Sequence, residues 1–338
     1  VNENEKKILR STELTGVIGR EEMDKLAQVY GDDAWSAYRN SYDKAANLEI
    51  SDYPIQLDIE LNASCNLRCP MCPISAESPK GKGKSTWFSY ELYKEIIDES
   101  VKNGLKALKL NYINEPLIRD DLFKFVDYAK EAGVLDIYLS TNGMLMTPEV
   151  CKRMVSSGLT RVQVSIDAVT EEIYDKLRPG GKLPTVIKNI EHLLEAKNEA
   201  KSITPLIRVN FVRTEINEDQ LPAFIEQWKG KVDMIGIQEF IKPTMSSMEI
   251  KSKTSTDKRK EGFRCSFPFK QLVITNEHMV LPCCTFWGEQ LPVGKITSAS
   301  QIKEIWHGEK INWLRDMHQA GRYNEIPQCQ NCVEGGVG

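Results

Sequence analysis

Between residues 55 and 240 the chain switches repeatedly between two hydrophobic periods. Short apolar or alternating runs recur at "IQLDIEL" (55–61), "KALKLNYI" (106–113), "LDIYLST" (135–141), "RVQVSIDA" (161–168), "PLIRVNFVRT" (205–214) and "VDMIGIQEF" (232–240). Each predicts a strand. Between them lie segments with apolar residues at helical spacing: 86–104, 119–133, 147–158, stretches near 169–177 and 184–200, and 217–230. Gly104 and Gly133 close the first two of these helices, and Pro148 sits in the first turn of the third.

Strand and helix thus alternate six times, the pattern of parallel βαβ units. Six units make either an open sheet or a partly closed barrel, and in both the active site lies at the carboxyl ends of the strands. Residues 1–50 predict a helical extension that packs onto this body. Residues 241–263 are polar and rich in Lys, Ser and Thr, which predicts a linker or mobile loop. Residues 264–338 predict a small cysteine-rich α+β unit. It has a hairpin turning near Asn276 and a helix over 298–321.

Composition narrows the function classes. The chain has 338 residues, enough for about two domains, and is 41% hydrophobic. A net charge of −4 offers no basic field for nucleic acid. No apolar run reaches the ~18 residues of a membrane span. The charged start of the chain lacks the apolar core of a signal peptide. The expectation is a cytoplasmic protein with no membrane or nucleic-acid partner.

The nine cysteines change the picture most. In a cytoplasmic chain, clustered cysteines point to metal or catalysis. Cys65, Cys69 and Cys72 stand as C-x3-C-x2-C in the loop after the first strand. Thiolates bind zinc, Cu(I) or iron–sulfur clusters. A structural zinc site wants four protein ligands, so a distant fourth residue would have to complete it. A [4Fe–4S] cluster held by three thiolates instead keeps one iron open to a substrate or cofactor. Cys151, inside a predicted helix, reads as a core residue. Cys265, Cys283, Cys329 and Cys332 can converge as four soft ligands, suited to zinc or to a fully ligated cluster. Cys283 is favoured over Cys284 as the ligand of that pair, though either is open.

A C-x3-C-x2-C loop after the first of six strands resembles the radical S-adenosylmethionine superfamily, over roughly residues 52–240. The resemblance implies a partial (β/α)6 TIM-like barrel over 51–240. It implies a [4Fe–4S] cluster on Cys65, Cys69 and Cys72 whose open iron chelates S-adenosylmethionine, and reductive cleavage to a 5′-deoxyadenosyl radical. It carries further residues one by one. Asn114, Glu115 and Pro116 of "YINEP" stand where the family often has a Gly-Gly-Glu-Pro motif for the methionine amino group, here without the two glycines. Thr141 and Asn142 of "STNG" stand near the cofactor. Ser165 and Asp167 of "VSIDA" stand where the family contacts ribose or methionine. Arg178 of "KLRPG" stands where an arginine meets the methionine carboxylate. Met71 stands where the backbone meets adenine.

The C-terminal unit looks like a twitch domain, the shorter relative of the SPASM domain. That resemblance implies one auxiliary [4Fe–4S] cluster acting as an electron conduit. It also implies a small polar substrate, of sugar or aminocyclitol type, and a reductant such as flavodoxin or ferredoxin. Oxidation of the substrate is the favoured outcome. The alternatives are epimerisation with Cys284 returning a hydrogen, and peptide modification. The non-enzyme alternatives are a zinc-bound structural protein and an electron carrier. Glu60, Asn210, Arg213, Gln238 and Glu239, near strand ends, are candidate substrate contacts.

Overall fold

The computed structural model describes residues 15–77, 87–241 and 263–334. The first fourteen residues of the predicted extension, positions 242–262 of the predicted linker and the last four residues lie outside the described residues.

All six predicted strands form: β2 (Gln56–Ile59), β3 (Ala107–Lys109), β4 (Asp136–Thr141), β5 (Arg161–Ser165), β6 (Leu206–Arg213) and β7 (Met234–Glu239). They pair in parallel, each with its sequence neighbour. Helices cover the outer face. Their ends follow local chemistry. Ser89 caps the helix Tyr90–Lys102 by accepting the Leu92 N–H, and Gly104 beyond it takes a left-handed φ of +96°. Thr147 caps Pro148–Ser156 in the same way. The outward side chains of the strands, such as Leu57, Ile59, Leu108, Val162, Val164, Val209 and Phe211, pack with the inner faces of these helices into one continuous core. Burying each such side chain stabilises by ~1.5–3 kcal/mol. Cys151 is fully buried in this core, as expected.

Three expectations need correction. The extension is not wholly helical: Thr15–Ile18 forms β1, antiparallel to β7. An unpaired β7 would leave a row of backbone donors and acceptors exposed, and β1 satisfies them. The helix after it, Asp32–Ala46, lies under the amino-terminal end of the barrel. There Tyr38 donates to Asp136 at 2.6 Å, and Trp35, Tyr38 and Leu48 pack with Leu206, Met234 and Ala107.

The C-terminal unit is not separate from the sheet. β8 (Gln271–Ile274) pairs in parallel with β2, and the hairpin strands β9 (Met279–Leu281) and β10 (Gly294–Lys295) follow. The sheet order is β1-β7-β6-β5-β4-β3-β2-β8-β9-β10, an open barrel with added edges. Leu272 and Ile274 of β8 join the main core, which is what draws the strand there.

Finally, the helix expected over 298–321 is two helices, Gln301–Trp306 and Glu309–Gln319, broken at His307-Gly308. Glycine weakens the helix at that point. The break also lets Trp306 Nε1 donate to the Ser51 carbonyl at 2.7 Å.

Candidate active site

The cysteine loop leaves β2 at its carboxyl end. Three features hold it there. Arg68 donates from its backbone to the Pro179 carbonyl at 3.1 Å, tying the loop to "RPG" (178–180). The Arg68 guanidinium donates to the carbonyls of Cys65 and Leu67. Asn142, at the end of β4, donates from Nδ2 to Asn66 at 2.7 Å and lies 3.8 Å from the Cys65 sulfur. Cys65, Cys69 and Cys72 pack together with Leu67, Met71 and Phe240. Burial pushes all three thiols up, and with a smaller rise from neighbouring thiols at Cys69 and Cys72 these reach about 11 and about 12.

A cavity of about 410 Å³ opens over this loop, within the size range of small-ligand sites. It is lined by the three cysteines and Met71, by Asn114, Glu115, Thr141, Asn142, Ser165 and Arg178, and by Gln238 and Glu239. Most of the carried-over residues therefore meet in one place.

Two of them do not line it. Pro116 opens a short 3-10 turn behind Glu115. Asp167 is fully buried, with a left-handed φ of +66°, so the strand alternation stops at Ser165 and does not carry Asp167 into the cavity. Asp167 instead accepts from Nε and Nη2 of Arg178, and from the Val212 N–H at 2.7 Å. That pairing leaves Nη1 of Arg178 4.0 Å from the Cys69 sulfur. Asp167 is thus a positioning residue for a cation that faces the thiols.

Glu115 is also fixed. Its carboxylate accepts from the Asn142 N–H at 2.8 Å, Thr141 Oγ1 at 2.8 Å and the Leu117 N–H at 3.1 Å. Full burial pushes its carboxyl up to about 7, against the downward pull of those bonds and of Arg178.

Of the other candidate contacts, Arg213 pairs with Glu239 at 2.5 Å. Glu60 accepts backbone N–H groups of Ile113 and Asn276, and Asn210 is buried and does not line the cavity.

The far wall of the cavity comes from the C-terminal unit: Cys284, Thr285 and Phe286. Cys284 packs with Tyr112, Val273 and Leu281. Cys283 does not line the cavity. It lies in the electrostatic neighbourhood of Cys265, Cys329 and Cys332, the four thiols expected to converge, and burial pushes each of them up. Cys284 acts on Cys265 and Cys332 as well, so the two adjacent residues share those thiol neighbours and differ in that only Cys284 borders the cavity.

Two features here carried no signal in the sequence. Tyr112 donates to the Thr285 carbonyl at 2.9 Å across 173 residues of chain. His318, 1% exposed, sits between Cys265 and Cys329. Neither has a spacing that relates it to the cysteines; only the fold brings them together.

Both thiol groups suit soft metal. Buried thiols with raised pKa values ionise only beside strong positive charge, and metal supplies it. Among the described residues no three His, Cys, Asp or Glu side chains close to the distances of a single metal ion.

The chain matches known families in both halves. The profile of the radical SAM superfamily matches residues 59–214, and that of SPASM, an iron–sulfur cluster-binding domain, matches residues 265–333. A probable GTP 3′,8-cyclase from Methanococcus maripaludis is 30% identical over 183 residues, 54% of this chain and 58% of that protein. The mycofactocin maturase MftC of Mycolicibacterium smegmatis is 34% identical over 178 residues, 51% of this chain and 41% of that one. The chain thus spans less than two thirds of these relatives.

Among solved structures, SuiB of Streptococcus suis bound to S-adenosylmethionine aligns with a TM-score of 0.59 and 16% identity, over 88% of this chain and 78% of SuiB. BtrN in complex with AdoMet and 2-DOIA aligns with a TM-score of 0.52 and 17% identity, over 84% and 94%. These likenesses show the fold. The radical SAM domain implies a [4Fe–4S] cluster used with S-adenosylmethionine, and the SPASM domain implies auxiliary iron–sulfur binding. The chain carries a radical S-adenosylmethionine superfamily domain over residues 59–214 and a C-terminal iron–sulfur cluster-binding domain of the SPASM kind over 265–333.

Proposed function

We propose that this enzyme oxidises a small polar substrate, of sugar or aminocyclitol type, at a carbon that bears a hydroxyl group. The observation that carries the reading is the shared cavity. One wall is the Cys65/Cys69/Cys72 loop, and the other is the Cys284–Phe286 segment that adjoins the second thiol group.

Cys65, Cys69 and Cys72 would hold the first cluster, and Cys265, Cys283, Cys329 and Cys332 a single auxiliary one. When bound, the first cluster and S-adenosylmethionine supply a 5′-deoxyadenosyl radical that removes one hydrogen atom from the substrate. The chain's residues do the rest. Arg178, held by Asp167 with Nη1 toward the Cys69 sulfur, would meet the methionine carboxylate. Glu115 meets the ammonium group. Ser165, Thr141 and Asn142 line the cofactor side. Gln238 and Glu239 bind substrate hydroxyls. The substrate radical then loses one proton and one electron. The electron leaves through the Cys283 side, so the product is two hydrogens lighter and one S-adenosylmethionine is consumed per turnover.

A second reading rests on Cys284, whose side chain borders the cavity. A thiol there can return a hydrogen atom to the substrate radical, giving an epimer. The two readings separate in deuterated water on an identified substrate. Oxidation gives a product two mass units lighter in both wild type and Cys284→Ala. A product of unchanged formula with one new deuterium, lost in Cys284→Ala, overturns it. Peptide modification is the third outcome; it would show as turnover on a peptide and none on small polyols.

A further inference from the structure

His318 lies in the helix Glu309–Gln319, and both of its ring nitrogens have partners. Nδ1 is 3.3 Å from the backbone nitrogen of Cys265, whose N–H can only donate. Nδ1 is therefore the acceptor, and a neutral ring carries its hydrogen on Nε2. Nε2 is 3.5 Å from the Cys329 sulfur, so the N–H is aimed at that sulfur. Phe263 packs edge-on against the imidazole, with centroids 6.5 Å apart.

Thr285 stands at another thiol, and toward a ligating thiolate only its hydroxyl can donate. Its Oγ1 is 3.4 Å from the Cys283 sulfur. Its backbone carbonyl is held by the Tyr112 hydroxyl, which belongs to the wall of the substrate cavity. A neutral donor thus stands at two of the four sulfurs. Hydrogen bonds to cluster sulfurs stabilise the extra negative charge of the reduced state, and such outer contacts tune a metal site.

We propose that His318 and Thr285 are tuning residues of the auxiliary iron–sulfur site, each donating a hydrogen bond to a ligand sulfur and so favouring the reduced cluster. Tyr112 orients Thr285 from the cavity side. This inference rests on the reading of Cys265, Cys283, Cys329 and Cys332 as ligands of an electron-accepting cluster.

The test is a potentiometric titration of the anaerobic full-length holoprotein, with no substrate present. It follows the reduced-cluster signal that added S-adenosylmethionine leaves unchanged. His318→Phe and Thr285→Val should each keep wild-type iron and sulfide and move the midpoint to a more negative potential. Thr285→Ser should keep the wild-type midpoint, and the double variant should lie lower than either single one. An unmoved midpoint in both single variants overturns the proposal. So does loss of the auxiliary iron in His318→Phe together with an unmoved midpoint in Thr285→Val.

A second measurement needs no cluster. The chain has four histidines, so selective nitrogen labelling of the apoprotein can resolve the ring of His318. Hydrogen on Nε2 is expected, and hydrogen on Nδ1 refutes the donor role. A lowered midpoint in variants of an enzyme that turns out to be an epimerase would leave the tuning intact and remove only the oxidation reading.

Discussion

The two thiol sites are both buried and differ in the groups set closest to their sulfurs. Beside Cys65, Cys69 and Cys72 the chain places full charges: the Arg178 guanidinium 4.0 Å from a sulfur, Asp167 behind it, and the buried Glu115 carboxyl. Beside Cys265, Cys283, Cys329 and Cys332 it places a neutral imidazole and a hydroxyl at the sulfurs, with the buried Lys270 ammonium acting on Cys265 from outside hydrogen-bond range. Charges next to a three-thiol loop suit a zwitterion that must be gripped at both ends. Neutral dipoles next to four thiols suit an electron that arrives and leaves. Charge pairs bind ions at a fixed position, whereas dipoles adjust a potential without attracting a competing ion.

The largest test of this contrast is removal of thiols. Cys65→Ala, Cys69→Ala or Cys72→Ala should each abolish formation of 5′-deoxyadenosine, because a three-ligand site has no spare. Cys283→Ala should leave that cleavage in place and stop substrate oxidation. Wild type should hold about eight irons per chain, for two [4Fe–4S] clusters, and the triple variant about half as many. An iron-free triple variant would erase the distinction between the sites.

A smaller effect is expected from the charges. Arg178→Ala leaves Asp167 buried without its cation, and Glu115→Ala removes the other grip. Each should weaken S-adenosylmethionine binding by ~2–5 kcal/mol with iron content intact. Equilibrium binding to the anaerobic holoprotein reads this directly. Unchanged affinity in both variants would mean that the cofactor's charged ends lie elsewhere.

The smallest is a pH dependence. The Glu115 carboxyl is raised from its ordinary 4.5 to about 7 by burial. A raised carboxyl contributes stability in its protonated form, complete below 4.5 and lost as pH rises through about 7. An ammonium group selects the ionised form. Affinity for S-adenosylmethionine should therefore be full above about 7 and fall below it by up to about tenfold per pH unit. Glu115→Gln should bind more weakly and show no such slope from this group. A slope that persists in Glu115→Gln assigns the titration to another residue.

The periodic pattern was enough for six strands in parallel order, because each strand's apolar side is satisfied by the helix that follows it locally. It was also enough for the three-thiol loop, whose ligands lie within eight residues of chain. The left-handed turn at Asp167 was not legible, since "VSIDA" reads as a continued strand; the buried Arg178 that fills that turn lies eleven residues on. The strand at Thr15–Ile18 was missed because four residues carry too little periodicity, and only the open edge of β7 calls for them.

Sequence alone determined which residues could bind metal and the barrel that presents them, which follow from local spacing, while the general place of Glu115, Asn142 and Arg178 came from the family resemblance, with Arg178 just past a helix end. Tertiary structure decided the rest. It brought Cys284 but not Cys283 to the cavity, made Asp167 a support for Arg178, and set Thr285 and His318 against sulfurs. Such contacts join segments up to 173 residues apart. Their geometry depends on β8 docking beside β2, which no local period encodes.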